Sequence, residues 1–130
     1  MAMASINDVF SGKTVLIVED NENSDSYFRA ALHKYGVSTL SAGNGKEAIR
    51  IFGENKQIDL VLMDLNMPEM DGFEATQRIK SMRPEVLVVA QSAYILSGEE
   101  KRSVEAGCDE FLAKPIRLNS LFEVLNRYLK

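Results

Sequence analysis

Four runs of the chain are apolar without polar alternation: Val15-Leu16-Ile17-Val18, Leu60-Val61-Leu62-Met63, Val86-Leu87-Val88-Val89-Ala90 and the shorter Phe111-Leu112-Ala113. Short runs of this kind, rich in β-branched residues and bounded by turn formers, predict strands buried on both faces. Val37 to Ser41 alternates instead, and predicts a fifth strand. Between the runs the apolar spacing changes to that of helices. Phe28, Ala31, Leu32 and Tyr35 share one side of a helix capped by Asn21 or Asn23 and stopped at Gly36. Asn44-Gly45 predicts a turn, followed by a helix over 46–52 that carries Ala48, Ile49 and Phe52 at helical spacing. Phe73, Ala75, Thr76, Ile79 and Met82 mark a helix over 73–82, ended by Pro84. Ser97-Gly98-Glu99-Glu100 opens a polar helix with acids in its first turn that closes at Ala106-Gly107. An amphipathic helix over 118–129 comes last. Five alternating β and α units specify an α/β fold, a parallel sheet covered by helices on both faces.

The remaining segment, Ser5 to Ser11, is polar with Ile6, Val9 and Phe10 interspersed, and reads as a short lead-in that either packs loosely or continues from something upstream. Residues 1–12 are expected to be a lead-in or cloning remnant and 13–130 the domain. A chain of 130 residues has room for one such domain and an ordinary core. The net charge of -4 and pI near 5.0, with 15 scattered basic residues, argue against a nucleic-acid or anionic-membrane surface. Cys108 is the only cysteine, which excludes an internal disulfide, a thiolate zinc cage and a C-x-x-C redox pair. A reducing, cytoplasmic setting is the expectation, with no stretch reading as a signal peptide or membrane span.

The chemistry lies where the strands stop. In a parallel α/β sheet all strands end on one edge, the edge where ligands bind. The first run ends in Glu19-Asp20, the central one in Asp64, the Val86 run in Gln91-Ser92-Ala93, and the last in Lys114-Pro115. Glu19, Asp20, Asp64, Ser92 and Lys114 are therefore predicted to converge. Like-charged carboxylates at 4 Å repel by roughly 4 kcal/mol per pair at an effective dielectric of 20, unless a cation or a proton relieves them. Hard oxygen ligands with positions left for water suit Mg²⁺, which favours phosphate oxygens as further ligands. Lys114 offers a point charge and Ser92 a hydroxyl to a phosphoryl group. With no Cys, His or Ser–His pair in competition, Asp64 is the natural phosphoryl acceptor.

These residues in this order resemble the receiver domain of response regulators in bacterial two-component systems, from about Lys13 to Lys130. The motifs are Glu19-Asp20, the run from Met63 to Gly72 around Asp64, Ser92-Ala93 and Lys114-Pro115. The resemblance implies a flavodoxin-like, doubly wound (βα)5 fold of strand order 2-1-3-4-5. It implies phosphorylation of Asp64 by a partner's phosphohistidine, on a histidine kinase or histidine phosphotransfer domain. Asp20, Asp64 and the backbone carbonyl of Asn66 would bind Mg²⁺, with Glu19 helping through water. Ser92 stands at the family's switch hydroxyl and Phe111 at its switch aromatic, where Thr and Tyr are commoner. Drawn toward a new phosphoryl group, Ser92 would leave space into which Phe111 rotates, changing the surface of the last two helices. That surface could serve a homodimer, a kinase or a phosphotransfer protein. A cis peptide is expected at Lys114-Pro115. The stretches 90–94 and 105–110 look like receivers attached to hybrid sensor histidine kinases.

Other readings fit the residues less well. Gly12-Lys13-Thr14 imitates the end of a phosphate-binding loop, but Asn7 stands where its first glycine belongs and the triplet enters a strand. Asp64-Leu65-Asn66 lacks the second Asp that a haloacid-dehalogenase-type phosphatase needs as general acid. An EF-hand is excluded by Pro68 and Ala75 at ligand positions. His33 is expected to be a solvated or capping residue, Cys108 a small packed side chain, and Met63, Met67 and Met70 loop and core filler. The main alternative function is a receiver-shaped interaction module not regulated by phosphorylation, followed by a phosphatase of the same fold.

Overall fold

A computed structural model describes residues 9–67, 72–93 and 98–129. Five strands alternate with five helices: β1 (Thr14–Val18), α1 (Glu22–His33), β2 (Ser38–Ala42), α2 (Gly45–Glu54), β3 (Leu60–Asp64), α3 (Gly72–Met82), β4 (Leu87–Ser92), α4 (Glu99–Ala106), β5 (Glu110–Ala113) and α5 (Leu118–Tyr128). The strands form one parallel sheet of order β2-β1-β3-β4-β5, the predicted flavodoxin-like topology.

The unbroken apolar runs account for the centre of the sheet. Every residue of β3 is buried, because helices cover it from both sides. On one face Leu16, Val18, Val61, Met63, Val88 and Ala90 pack with Phe52 of α2 and Ile79 of α3. On the other, Val15, Ile17, Leu60, Leu62 and Val89 meet Phe28 and Leu32 of α1 and Leu121 and Leu125 of α5. Each such side chain, fully buried, contributes about 1.5–3 kcal/mol. The alternating β2 lies at the edge, with Ser38 and Ser41 exposed.

Local chemistry sets the helix ends. Asn21 caps α1, its Oδ1 accepting from Ser24 N at 3.0 Å. Asn44 does the same for α2, accepting from Glu47 N at 2.9 Å while Glu47 Oε1 accepts from Gly43 N at 2.9 Å. The predicted Asn44-Gly45 turn is thus a helix start, and α2 begins at Gly45. The start of α4 expected at Ser97 falls outside the described residues; its far end closes on Gly107 at φ 109°, whose N–H reaches Ser103 and Val104 carbonyls.

Two strand boundaries and the lead-in depart from expectation for non-local reasons. β2 runs one residue later than predicted, since its ladder with β1 pairs Thr14 with Ser38 and Val18 with Ala42. β4 extends through Gln91 and Ser92 because β3 and β5 flank it there, pairing Asp64 with Gln91 and Ser92 with Ala113. The lead-in is not loose at Phe10, which is 2% exposed. Its ring packs against Tyr35 and Phe122 at centroid distances of 6.1 and 5.8 Å, and its N–H donates to the Tyr35 carbonyl at 2.9 Å.

Candidate functional site

Strand register brings the acids together. Glu19 continues the β1 ladder by one residue, its N–H donating to the Ala42 carbonyl at 2.9 Å, so its side chain is buried while Asp20 stands exposed. Asp64 closes β3 at 1% exposure. Carboxylate oxygens of Glu19, Asp20 and Asp64 lie within 4.8 Å of one another. From the neighbouring strands, the Lys114 N–H donates to the Ser92 carbonyl at 2.8 Å, and Lys114 Nζ donates to Asp64 Oδ1 at 2.9 Å. Asn66 N donates to the same oxygen at 2.9 Å. Across the site α3 starts so close that a Cβ on Gly72 would sit 2.6 Å from the Asp64 carbonyl oxygen; only glycine fits there.

The electrostatics ask for a cation. Glu19 Oε2 accepts from Asn21 N at 3.1 Å, but its Oε1 is buried without a partner. Burial, and then the Asp64 charge, push the Glu19 carboxyl up to about 7. Among the described residues Lys114 is the one ammonium paired to Asp64, against three carboxylates. A hard divalent cation among them would restore Glu19 to its charged form and give the orphaned oxygen a positive neighbour.

Glu19, Asp20, Asp64 and Lys114 therefore form one cluster, as the strand ends predicted. Ser92 is fully buried at the end of β4 beside them, and the Lys114-Pro115 bond is cis. Phe111 lies away from the cluster. It stands opposite Ala90 in the β4–β5 ladder, half-buried, and lines a cavity of about 180 Å³ with Ser103, Val104 and Cys108 of the α4 side. His33 ends α1, exposed, with Nε2 3.1 Å from Thr39 Oγ1. Cys108 is packed, its thiol pushed up to about 11 by burial, which makes it a poor nucleophile. Met63 and Met67 are core residues; Met70 lies outside the described residues.

Two features were not foreseen. The Asn66 side chain accepts from Ala93 N at 3.2 Å, tying the loop after β3 to the one after β4. The site is also electrostatically one-sided. Toward α1 and α2 it opens into a pocket lined by Glu19, Asp20, Glu22, Asp25 and Glu47. Toward the β5–α5 connection it opens into a cleft of about 650 Å³ walled by Tyr27, Phe28, Pro115 and Ile116, with Gln91 and Lys114. Lys114 is the only charged residue among the described ones lining that cleft. The signal available beforehand was Gln91, a lone amide continuing an apolar run.

A five-stranded 2-1-3-4-5 sheet carrying a lysine-paired cluster of acids on its C-terminal edge defines a class of phosphoacceptor domains. The chain belongs to the response regulator receiver domain family, whose family model matches residues 15–126. It is 43% identical over 117 residues to the autoinducer 1 sensor kinase/phosphatase LuxN of Vibrio campbellii, covering 89% of this chain but only 13% of LuxN's length. It is 36% identical over 120 residues to the polar-differentiation response regulator DivK of Brucella anthropi, covering 90% of this chain and 96% of DivK. Among solved structures, the receiver domain of the Pseudomonas aeruginosa sensor histidine kinase PA1611, with magnesium coordinated in its active-site cleft, aligns with TM-score 0.84 and 30% identity over 92% of this chain and 98% of that one. The Saccharomyces cerevisiae Ssk1 receiver domain, solved with the histidine phosphotransfer protein Ypd1, aligns with TM-score 0.86 and 29% identity over 93% and 91%. This chain is accordingly a receiver domain of two-component phosphorelay signalling, a phosphoacceptor switch. Among the described residues no helix is long and apolar enough to cross a membrane.

Proposed function

We propose that Asp64 is the phosphoacceptor. The observation that carries the reading is a nearly fully buried aspartate, paired with Lys114 at 2.9 Å, with two further carboxylates within reach of the same cation. A carboxylate oxygen of Asp64 attacks the phosphorus of a phosphohistidine on a histidine kinase or phosphotransfer domain. The P–N bond breaks, its electron pair stays on the imidazole nitrogen, which takes up a proton, and an aspartyl phosphate remains. Lys114 transfers its hydrogen bond from Asp64 Oδ1 to a phosphoryl oxygen, and the Ser92 hydroxyl donates to another. Loss of the group follows when water attacks the phosphorus and inorganic phosphate departs. The domain promotes its own phosphoryl uptake and has no separate small-molecule substrate.

The residues fit Mg²⁺. Asp20, Asp64 and the Asn66 backbone carbonyl would hold it, with buried Glu19 behind them through water. Bound there, it neutralises charge that accumulates on the phosphoryl oxygens. The acidic pocket on one side and the neutral-to-basic cleft on the other send an anionic donor in over the cleft. Likeness to LuxN and PA1611 supports a place within, or downstream of, a sensor histidine kinase in the cytoplasm.

Intact mass after incubation with acetyl phosphate tests this. Gain of one phosphoryl group by the wild type, dependent on Mg²⁺ and abolished in Asp64→Asn, is expected. A folded protein that gains none from acetyl phosphate or from a phosphorylated histidine protein would be an interaction module not regulated by phosphorylation.

A further inference from the structure

Gln91 occupies a position that its strand does not favour. β4 alternates between the two cores: Val88 and Ala90 face the α2/α3 side, Val89 the α1/α5 side, and Gln91 follows Val89 on that second face. It is 1% exposed, and its Nε2 has no hydrogen-bond partner. A buried donor without an acceptor destabilises the free domain, and a leucine or methionine would fill the same place without that penalty. The amide is also placed where it matters. Gln91 pairs with Asp64 across the β3–β4 ladder and lines the apolar cleft beside Lys114. The terminal torsion of glutamine is soft, so a small rotation turns the N–H toward the cleft.

We infer that Gln91 is a specificity residue for the protein phosphodonor: its Nε2–H is satisfied by an oxygen at the tip of a donor side chain inserted into the cleft between α1 and the β5–α5 connection. This deepens the proposed function and rests on its reading of the donor. At about 650 Å³ the cleft far exceeds a phosphoryl group; Asn23, Ser24 and Lys114 give it polar groups, but its Tyr27, Phe28 and Ile116 walls suit an apolar-stemmed side chain. Tyr27 shapes the opening, its hydroxyl donating to the Ile116 carbonyl at 3.2 Å. The donor is the occupant because the cleft is continuous with the reacting pair: Lys114 lines it and donates to Asp64 Oδ1 at 2.9 Å, so a group delivered to Asp64 arrives at its mouth. A buried donor built into the site, rewarding one matching acceptor, discriminates more strongly than apolar walls do.

The test compares two phosphoryl sources on wild type, Gln91→Leu and Gln91→Met. One is acetyl phosphate, too small to fill the cleft. The other is the fastest donor from a panel of purified histidine kinases and phosphotransfer proteins charged from ATP. Both variants are expected to melt higher than wild type, yet to lose about tenfold more in kcat/KM with the protein donor than with acetyl phosphate. Equal losses with both sources, or no loss with either, overturn the inference. So does a wild type that accepts from acetyl phosphate and from no panel member, which leaves the reading of Asp64 standing; acceptance from neither source removes that reading as well.

Discussion

Glu19 shows how much one buried atom decides. Its carboxyl is pushed up to about 7 from 4.5, first by burial and second by Asp64. Without metal, the folded state therefore keeps a proton that the unfolded chain releases above pH 4.5. The stability this contributes is complete below pH 4.5 and is lost as pH rises through 7. Glu19→Gln in EDTA is thus expected to be more stable than wild type at pH 8, by at most about 3 kcal/mol, and to show no such gain at pH 4. Thermal melts at both pH values check this, and Mg²⁺ at pH 8 should raise the wild-type Tm more than the variant's. A variant without advantage at pH 8 would mean that Glu19 is not held in strain by its neighbours. Lys114 is the complementary case, since its ammonium lies 2.9 Å from Asp64 Oδ1 and offsets charge there. Lys114→Met is expected to slow phosphoryl uptake from acetyl phosphate about a hundredfold, followed by intact mass against time, with the fold retained.

At the scale of elements, the α3 N-terminus is positioned by an absence. The Cβ that Gly72→Ala adds would lie 2.6 Å from the Asp64 carbonyl oxygen and 2.9 Å from Leu65 Cα, so α3 must move away from the strand end. A loss of about 1–3 kcal/mol in denaturant unfolding is expected, together with slower phosphoryl uptake, because the displaced backbone carries Asp64 with it. An ordinary cap behaves differently. Asn44→Ala removes the acceptor for Glu47 N and should cost about 1 kcal/mol while slowing uptake less than Gly72→Ala does, since Asn44 bonds Glu47 and not the strand that carries Asp64. Comparing the two by the same assays separates elements that build the site from those that only carry it.

Across the whole molecule, β4 and β5 run from the acids to the cavity against α4. Ser92 ends β4 among the acids, and Phe111 sits opposite Ala90, half-buried over a cavity of about 180 Å³ that reaches α4. Exposed Val104 lies on that cavity's rim. If the hydroxyl and the ring form one two-state device, beryllofluoride with Mg²⁺ shifts the NMR signals of Phe111 and Val104 in wild type, and Ser92→Ala suppresses those shifts while the Asp64 region still responds. Identical shifts at Phe111 in both proteins would falsify the coupling.

Much of this was readable from the chain, for a definite reason. The unbroken apolar runs and their helical partners are set by local periodicity, and a parallel α/β sheet places all strand ends on one edge; Glu19, Asp20, Asp64, Ser92 and Lys114 could be gathered from that alone. Asn21 and Gly107 announced helix ends because caps are local chemistry. What depended on contacts between distant residues could not be read in the same way. The extension of β4 to Ser92 follows from its neighbours' register, the burial of Phe10 from the aromatic pair Tyr35 and Phe122, and the requirement for Gly72 from the approach of α3 to β3. The unpartnered oxygen of Glu19 and the unpartnered amide of Gln91 belong to the same class. Periodicity and chain order dictate which groups reach the edge of the sheet; the packing of the strands dictates which of them are left without a partner, because hydrogen bonding and desolvation are settled by ångström-scale distances that the chain order does not encode.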